Sequence, residues 1–354
     1  MPGADERRLV LHHMKINFKA LRDIRIIIVV LLLSALFGGV ATVIIRGTFS
    51  LRACMIGGLV GFFIAALCGV GHYTFLYRLR YLPFTVHLLL STAYYTFVAM
   101  AVLMARELLV GNARENLIGW RSDLAMTLLV TFFLGFATAF VLMLRRMVGP
   151  KALLNFFTGR YHAPLEEERI FMFLDIVSST TIAEKIGNLK FHMFLNEFYY
   201  DITDAILAAG GEIYKYVGDE VIISWKVADS IRNRRCIELV FEISKIIEAK
   251  KGKYIERFGF LPRCRAGMHC GAVIVGEIGD FKQEISFLGD TVNTTARIQS
   301  ACKDYQVDLL ISSELLARVD LPAEYIKKNY GGIQLKGKEK PVVLWGVKEG
   351  KPES

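Results

Sequence analysis

No two of the six cysteines are spaced as a CxxC pair, and none joins a histidine at zinc-site spacing. The thiols therefore read as reduced packing groups of a cytosolic or membrane setting. A cleavable signal peptide is also lacking. The first apolar run is longer than a signal core and has no small-residue cleavage site. No acid stands at the centre of any apolar run, which removes the usual mark of a transporter pathway. What the chain has in excess is apolar surface and positive charge. Of its 354 residues 53% are hydrophobic and 12% aromatic, the formal charge is +9, and the mean hydropathy is +0.39.

The placement of the charge says what it is for. Arg7, Arg8, Lys15, Lys19, Arg22 and Arg25 precede the first apolar run, and Arg145, Arg146 and Lys151 follow the last. Basic residues flanking apolar spans are topology signals, so lipid is the expected partner and nucleic acid is not. Four runs, 26–45, 53–76, 84–104 and 124–144, each have the length of a membrane-crossing helix. The basic N-terminus, the Arg78/Arg80 connection and the Arg145/Arg146 exit fall on one side. The positive-inside rule makes that side cytoplasmic, with both termini in the cytoplasm of a multi-pass inner-membrane protein. Gly38, Gly39, Gly57, Gly58 and Gly61 suit close helix packing. His72 and His87 are placed either to pack the bundle or to ligate haem.

The expected organisation is a basic N-terminus (1–25), a four-helix membrane region (26–145), a linker (146–168) with a short amphipathic helix over 151–158, a soluble domain (169–345) and a tail (346–354). Glu166, Glu167 and Glu168 read as a solvated run within the linker. Beyond it, apolar strands alternate with amphipathic helices, giving an α+β domain with a mostly antiparallel sheet. Residues 169–174 read as a buried strand, 189–209 and 229–249 as helices, and 210–225 (GGEIYKYVGDEVIISW) as a β-hairpin turning at Gly218-Asp219. Residues 264–278 are expected to form a second hairpin, turning at Cys270-Gly271. A strand over 284–288 and a helix over 290–302 follow.

Three groups of residues carry chemistry. Asp175 closes a buried strand and leads into Ser178-Ser179-Thr180, a small polar turn at a helix start. A strand-end carboxylate suits a hard cation, and helix-start N–H groups suit phosphate. Alone, Asp175 is as well explained as a helix cap. Asp219 at the hairpin tip adds a second acid, and two acids on neighbouring strands can hold two cations. Asn293 and Arg297, four apart on a helix, share one face and suit a ribose and a charged phosphorus centre.

FMFLDIVSSTT, KYVGDE, RAGMHCG and GDTVNTTAR stand in one order and spacing. On these motifs the C-terminal half, about residues 165 to 345, resembles the catalytic domain of class III nucleotide cyclases, the adenylate and guanylate cyclase family. The resemblance implies a ferredoxin-like βαββαβ core and a homodimer with sites shared between protomers. It implies two Mg2+ (or Mn2+) ions held by Asp175, Asp219 and the Ile176 carbonyl. Ser178, Ser179 and Thr180 would meet the phosphates, although many members have Gly-Phe at 178–179. Lys215 and Ser286 would read the base, Asn293 would position the ribose, and Arg297 would stabilise the transition state. The family usually has Asp where Ser286 stands; a bacterial branch with Ser or Thr there is linked to bicarbonate responsiveness. Lys215 donates to N1 of adenine and faces the protonated N1 of guanine, so ATP is the expected substrate and cyclic AMP the product. A guanylate cyclase and a non-catalytic receptor with a cyclase-like domain are the rival readings. A diguanylate cyclase fits less well, for the chain has no full GGDEF run.

Overall fold

The computed structural model describes residues 28, 30–40, 43, 49–79, 82–110, 113–227, 230–334 and 341–350. The expected basic N-terminus (1–25), the start of the first span and the last tail residues (351–354) lie outside these. The chain divides into two compact units, Met1–Leu153 and Leu154–Ser354.

Among the described residues of the first unit, apolar composition yields helices α1 (Val30–Val40), α2 (Leu51–Thr74), α3 (Phe84–Val110) and α4 (Ala113–Val148). Within α2, α3 and α4, the segments Leu51–His72, Phe84–Arg106 and Leu128–Val148 are long and apolar enough to cross a membrane, whereas the described part of the first span is shorter. The expected connection over 105–123 is mostly helix, because its Ala, Arg, Glu and Leu residues propagate α3 and α4 beyond their apolar parts. The glycines do bring helices close. A Cβ on Gly38 would lie 2.2 Å from the Gly57 carbonyl oxygen, and one on Gly61 2.2 Å from that of Ser34. His72 Nδ1 bonds the Tyr95 hydroxyl at 2.8 Å. His87 Nε2 donates to the Leu76 carbonyl (3.3 Å), and its Nδ1 meets Ser91 (3.3 Å). Both ring nitrogens of His87 thus have partners within the bundle, as packing requires.

The second unit begins within α5 (Pro150–Thr158). There follow β1 (Leu165–Ile176), α6 (Ser179–Ile186), α7 (Asn188–Ala208), β2 (Glu212–Val217), β3 (Glu220–Lys226), α8 (Ser230–Ala249), α9 (Lys251–Phe258) and β4 (Cys264–Ile278). Then come β5 (Glu284–Leu288), α10 (Asp290–Asp304), β6 (Leu309–Ser312), α11 (Ser313–Leu316), β7 (Tyr325–Ile333) and β8 (Val342–Glu349). Among the described residues eight strands form one sheet, in the order β2-β3-β1-β4-β6-β8-β7 with β5 paired to β4. The first four strands stand 2-3-1-4, all antiparallel, which is the βαββαβ arrangement. Only β4 and β6 among the described pairs run parallel.

β1 is buried on both faces, and its alternation separates two cores. Ile170, Met172, Leu174 and Ile176 pack with Phe194, Phe198, Ile202 and Ile206 of α7 and with α8. Phe171 and Phe173 face Val273, Val275, Phe287 and the Val292/Ala296 side of α10. Asp175 continues this second series, so it points to the α10 face.

Two local expectations need correction. β4 is one continuous strand of 15 residues, not a hairpin turning at Cys270-Gly271. Cys270 pairs with Ile170 and Gly271 with Arg169 in an unbroken register with β1. Gly271 admits the helix behind it: a Cβ there would lie 2.6 Å from Thr291 Oγ1. The acidic run 166–168 is also strand, since β1 starts at Leu165. Glu166 and Glu168 are exposed, as expected of a solvated run, with Glu168 pairing with Arg318 at 2.8 Å, whereas Glu167 is half-buried between Arg160, Arg169 and Lys226. At the other end β8 runs to Glu349, four residues beyond the expected domain end.

Candidate active site

The hairpin of β2 and β3 closes with Val217 opposite Glu220, leaving Gly218-Asp219 as a two-residue turn. Gly218 has φ +64, which only glycine takes without strain, and Gly at the first turn position matches the right-handed twist of the strands. This turn sets Asp219 beside Asp175 at the end of β1. Burial, then the adjoining Asp219 carboxyl and the negative charges of Asp219 and Glu220, push the Asp175 carboxyl up to about 7. Burial and the Asp219 charge push Glu220 up to about 7 as well. Carboxyl groups crowded this way are what a divalent cation neutralises, and all their donor atoms are hard oxygens. Among the described residues no three His, Cys, Asp or Glu side chains make a ready metal cage. A cation at Asp175 and Asp219 would complete its shell from substrate and water. The Ile176 side chain is 1% exposed in the core, so only its main chain is available to such an ion.

Three neighbours were not singled out from the sequence. Gln299 Nε2 donates to Asp175 Oδ2 at 3.2 Å. Arg265 stands opposite Asp175 in the β1–β4 register, and its Nε is buried without a partner. Tyr199 of α7 donates to the Gly218 carbonyl at 3.2 Å. The register position of Arg265 was readable once β4 was known to be one strand; the other two depend on how the helices pack. The polar turn begins with strain: Ser178 adopts φ 59, ψ 32 as the residue before α6, the left-handed region. Ser178 and Thr180 are exposed and Ser179 half-buried.

The other expected residues lie elsewhere. Lys215 pairs with Glu284 at 3.2 Å, and the Tyr214 hydroxyl meets Ser286 Oγ at 3.4 Å. β2 and β5 thus bring Lys215 and Ser286 into one neighbourhood, with Tyr214 and Glu284 as members the sequence reading passed over. Both Lys215 and Glu284 are nearly half exposed, so the pair orients the ammonium more than it stabilises the fold, contributing about 0–1 kcal/mol.

α10 carries the third group. Thr291, Thr294, Thr295, Ile298 and Cys302 are buried against the sheet at three- and four-residue spacing. Gly267 of β4 lets the helix come close: a Cβ there would lie 2.2 Å from the Gln299 main-chain nitrogen. Asn293 is exposed. Arg297 is half-buried, with Nη1 lacking a hydrogen-bond partner. A buried guanidinium nitrogen left in that state is suited to receive an anion.

The model of the Adenylate and Guanylate cyclase catalytic domain family matches residues 163–348. The chain belongs to this family. Adenylate cyclase 2 of Rhizobium meliloti (strain 1021) is 34% identical over 280 residues, covering 77% of this chain and 76% of that protein. Adenylate cyclase 1 of the same strain is 30% identical over 168 residues, or 46% of this chain, and the match spans only 24% of that longer protein. Among solved structures, a bacterial light-regulated adenylyl cyclase shares the fold with a TM-score of 0.55 and 22% identity, over 64% of this chain and 66% of that one. The cyclase fold of the second unit and the apolar helices of the first are thus both established. The individual residue roles rest on the geometry above.

Proposed function

We propose that this chain is a membrane-anchored adenylate cyclase that works as a homodimer, converting ATP to 3′,5′-cyclic AMP and pyrophosphate. Kinship with proteins named adenylate cyclase supports the activity. The observation that carries the shared site lies on α10. Gln299 reaches Asp175 of its own chain, whereas Arg297 stands two residues earlier, about 200° around the helix. Asn293 shares the Arg297 side. The helix that supports the aspartates of its own protomer therefore turns its ribose and phosphorus residues away from them. A second copy related by a twofold axis would bring Asn293 and Arg297 to those aspartates, making two equivalent sites.

In this reading Asp175, Asp219 and the Ile176 carbonyl hold Mg2+ or Mn2+, two ions per site. Such ions, when bound, lower the pKa of the ribose 3′-hydroxyl and neutralise the leaving pyrophosphate. The chain's own residues do the rest. Ser178, Ser179 and Thr180 present the helix start to the triphosphate. Asn293 of the other protomer orients the ribose so that its 3′-oxygen lies in line with the α-phosphorus, and Arg297 meets the charge that grows there. Lys215, held by Glu284, donates to N1 of adenine. Ser286 serves the exocyclic group. The apolar helices anchor the enzyme in the inner membrane, and the basic flanks place both termini and the catalytic unit in the cytoplasm.

Product analysis of the full-length protein in membranes tests this, with ATP or GTP and either Mg2+ or Mn2+. Cyclic AMP from ATP with little product from GTP is expected. The competing reading is a guanylate cyclase, favoured by Ser286, whose hydroxyl can turn from Tyr214 to donate or accept. Predominant cyclic GMP would establish it. No cyclic nucleotide from either substrate would leave the receptor reading.

A further inference from the structure

The turn that carries Asp219 has little packing of its own. Gly218 is exposed, and a Cβ placed on it would find nothing within 4 Å. Support comes from α7, where the Tyr199 hydroxyl donates to the Gly218 carbonyl at 3.2 Å. The helix is firmly seated: Phe198 is 1% and Ile202 0% exposed in the core. The Tyr199 ring lies against Tyr216 of β2, centroids 4.5 Å apart, and the Thr203 hydroxyl donates to the Tyr199 carbonyl at 2.6 Å. Burial, then the charges of Asp219, Tyr216 and Asp175, raise the pKa of the phenol. It remains a protonated donor across the physiological range.

We propose that Tyr199 is a positioning residue for the metal-side aspartates: its hydroxyl pins the Gly218 peptide and so fixes Asp219 against Asp175. The inference rests on the reading that these two aspartates hold the divalent cations. Tyr199 itself touches neither substrate nor cation. Its ring packing with Tyr216 belongs to the fold, and the hydroxyl alone belongs to the site. Losing the hydroxyl frees one anchor of a turn whose tip is otherwise open, and the cation then meets an aspartate that must be ordered on binding.

The test is Tyr199→Phe in the purified full-length protein. Mn2+ binding is followed by electron paramagnetic resonance in the presence of 3′-deoxy-ATP, which cannot cyclise. Turnover of ATP is measured in parallel, once against Mn2+ and once against ATP. The expected result is about two- to tenfold weaker Mn2+ binding, the size of one lost hydrogen bond, with the same shift in the Mn2+ dependence of turnover. The KM for ATP at saturating Mn2+ and the Tm stay near wild type, since the ring is retained. Unchanged Mn2+ binding overturns the inference while leaving the aspartates' role intact. A shift in KM and Tm without one in Mn2+ binding overturns it too, showing a structural role only. A wild-type protein that binds no Mn2+ refutes the reading of the aspartates, and the inference falls with it.

Discussion

Gly267→Ala separates the two things a glycine in a strand can mean. β4 has no turn at Gly267, and the residue is not in the left-handed region. Its lack of a side chain is instead what lets α10 approach. An added Cβ would sit 2.2 Å from the main-chain nitrogen of Gln299 and 2.4 Å from its Cα. These are backbone atoms, so no rotamer change relieves them, and the helix must retreat by roughly 1 Å to reach ordinary contact. Overpacking of this kind costs about 1–3 kcal/mol, a fall in Tm of about 2–10 °C for a domain of this size. Activity should suffer more. The retreat carries Gln299 away from Asp175 and shifts Asn293 and Arg297 together, and a misplacement near 1 Å can cost about 100-fold in rate. Cyclic AMP formation in membranes and thermal unfolding of the purified chain measure both effects. Gly252→Ala is the control. Gly252 lies in α9, where a Cβ finds nothing within 4 Å; there the same change should be neutral or stabilise by up to about 1 kcal/mol. Full activity and an unchanged Tm in Gly267→Ala would refute the claim that this contact sets the helix.

Mixing Asp175→Ala with Arg297→Ala should restore about a quarter of wild-type activity, because half the random dimers are mixed and each mixed dimer keeps one whole site; no recovery from verified mixed dimers counts against the shared site. Arg169, whose side chain is 2% exposed, binds Glu167 (2.8 Å) and Glu212 (3.0 Å) and lies 4.8 Å from the Phe287 ring centre. Arg169→Met should therefore cost about 1.5–3 kcal/mol in urea unfolding, because Glu167 and Glu212 each lose a charged hydrogen-bond partner. Asp175 holds its proton up to about pH 7 when no cation is present, well above its unfolded range, so its contribution to metal-free stability falls as pH rises from about 4 through 7. Mn2+ must displace that proton, so affinity should rise between pH 6 and pH 8; an Asp175→Asn chain that keeps the same stability slope would exclude this source. Ser178→Gly should raise the Tm by relieving about 1 kcal/mol of left-handed strain, with activity retained.

Period-two and period-three-and-four patterns made much of the fold legible. RIFMFL declared a strand buried on both faces, and GGEIYKYVGDEVIISW a hairpin whose tip is an acid. What was not legible has one cause. Cys270-Gly271 carries the same local signal whether the chain turns there or another element presses against it. Only the partner decides, and the partner, Thr291, lies twenty residues on. The acidic run 166–168 divides in the same way: Glu166 and Glu168 are exposed, as their type suggests, whereas Glu167 is drawn in by Arg160, Arg169 and Lys226. The candidate site shows the same division. Asp175, Asp219, Asn293 and Arg297 were visible because their chemistry is carried by residue type and spacing. Gln299, Tyr199 and Glu284 were not, because an amide, a phenol and a surface carboxylate acquire meaning only from what they touch. That distinction bears on how the enzyme assembles. Spacing put Asn293 and Arg297 on one helical face, but it took the Gln299–Asp175 contact to show that this face is turned from the aspartates of its own chain. If that face serves the aspartates of a second copy, as proposed, a monomer holds both halves of the chemistry apart, and dimerisation is the step at which activity would be controlled.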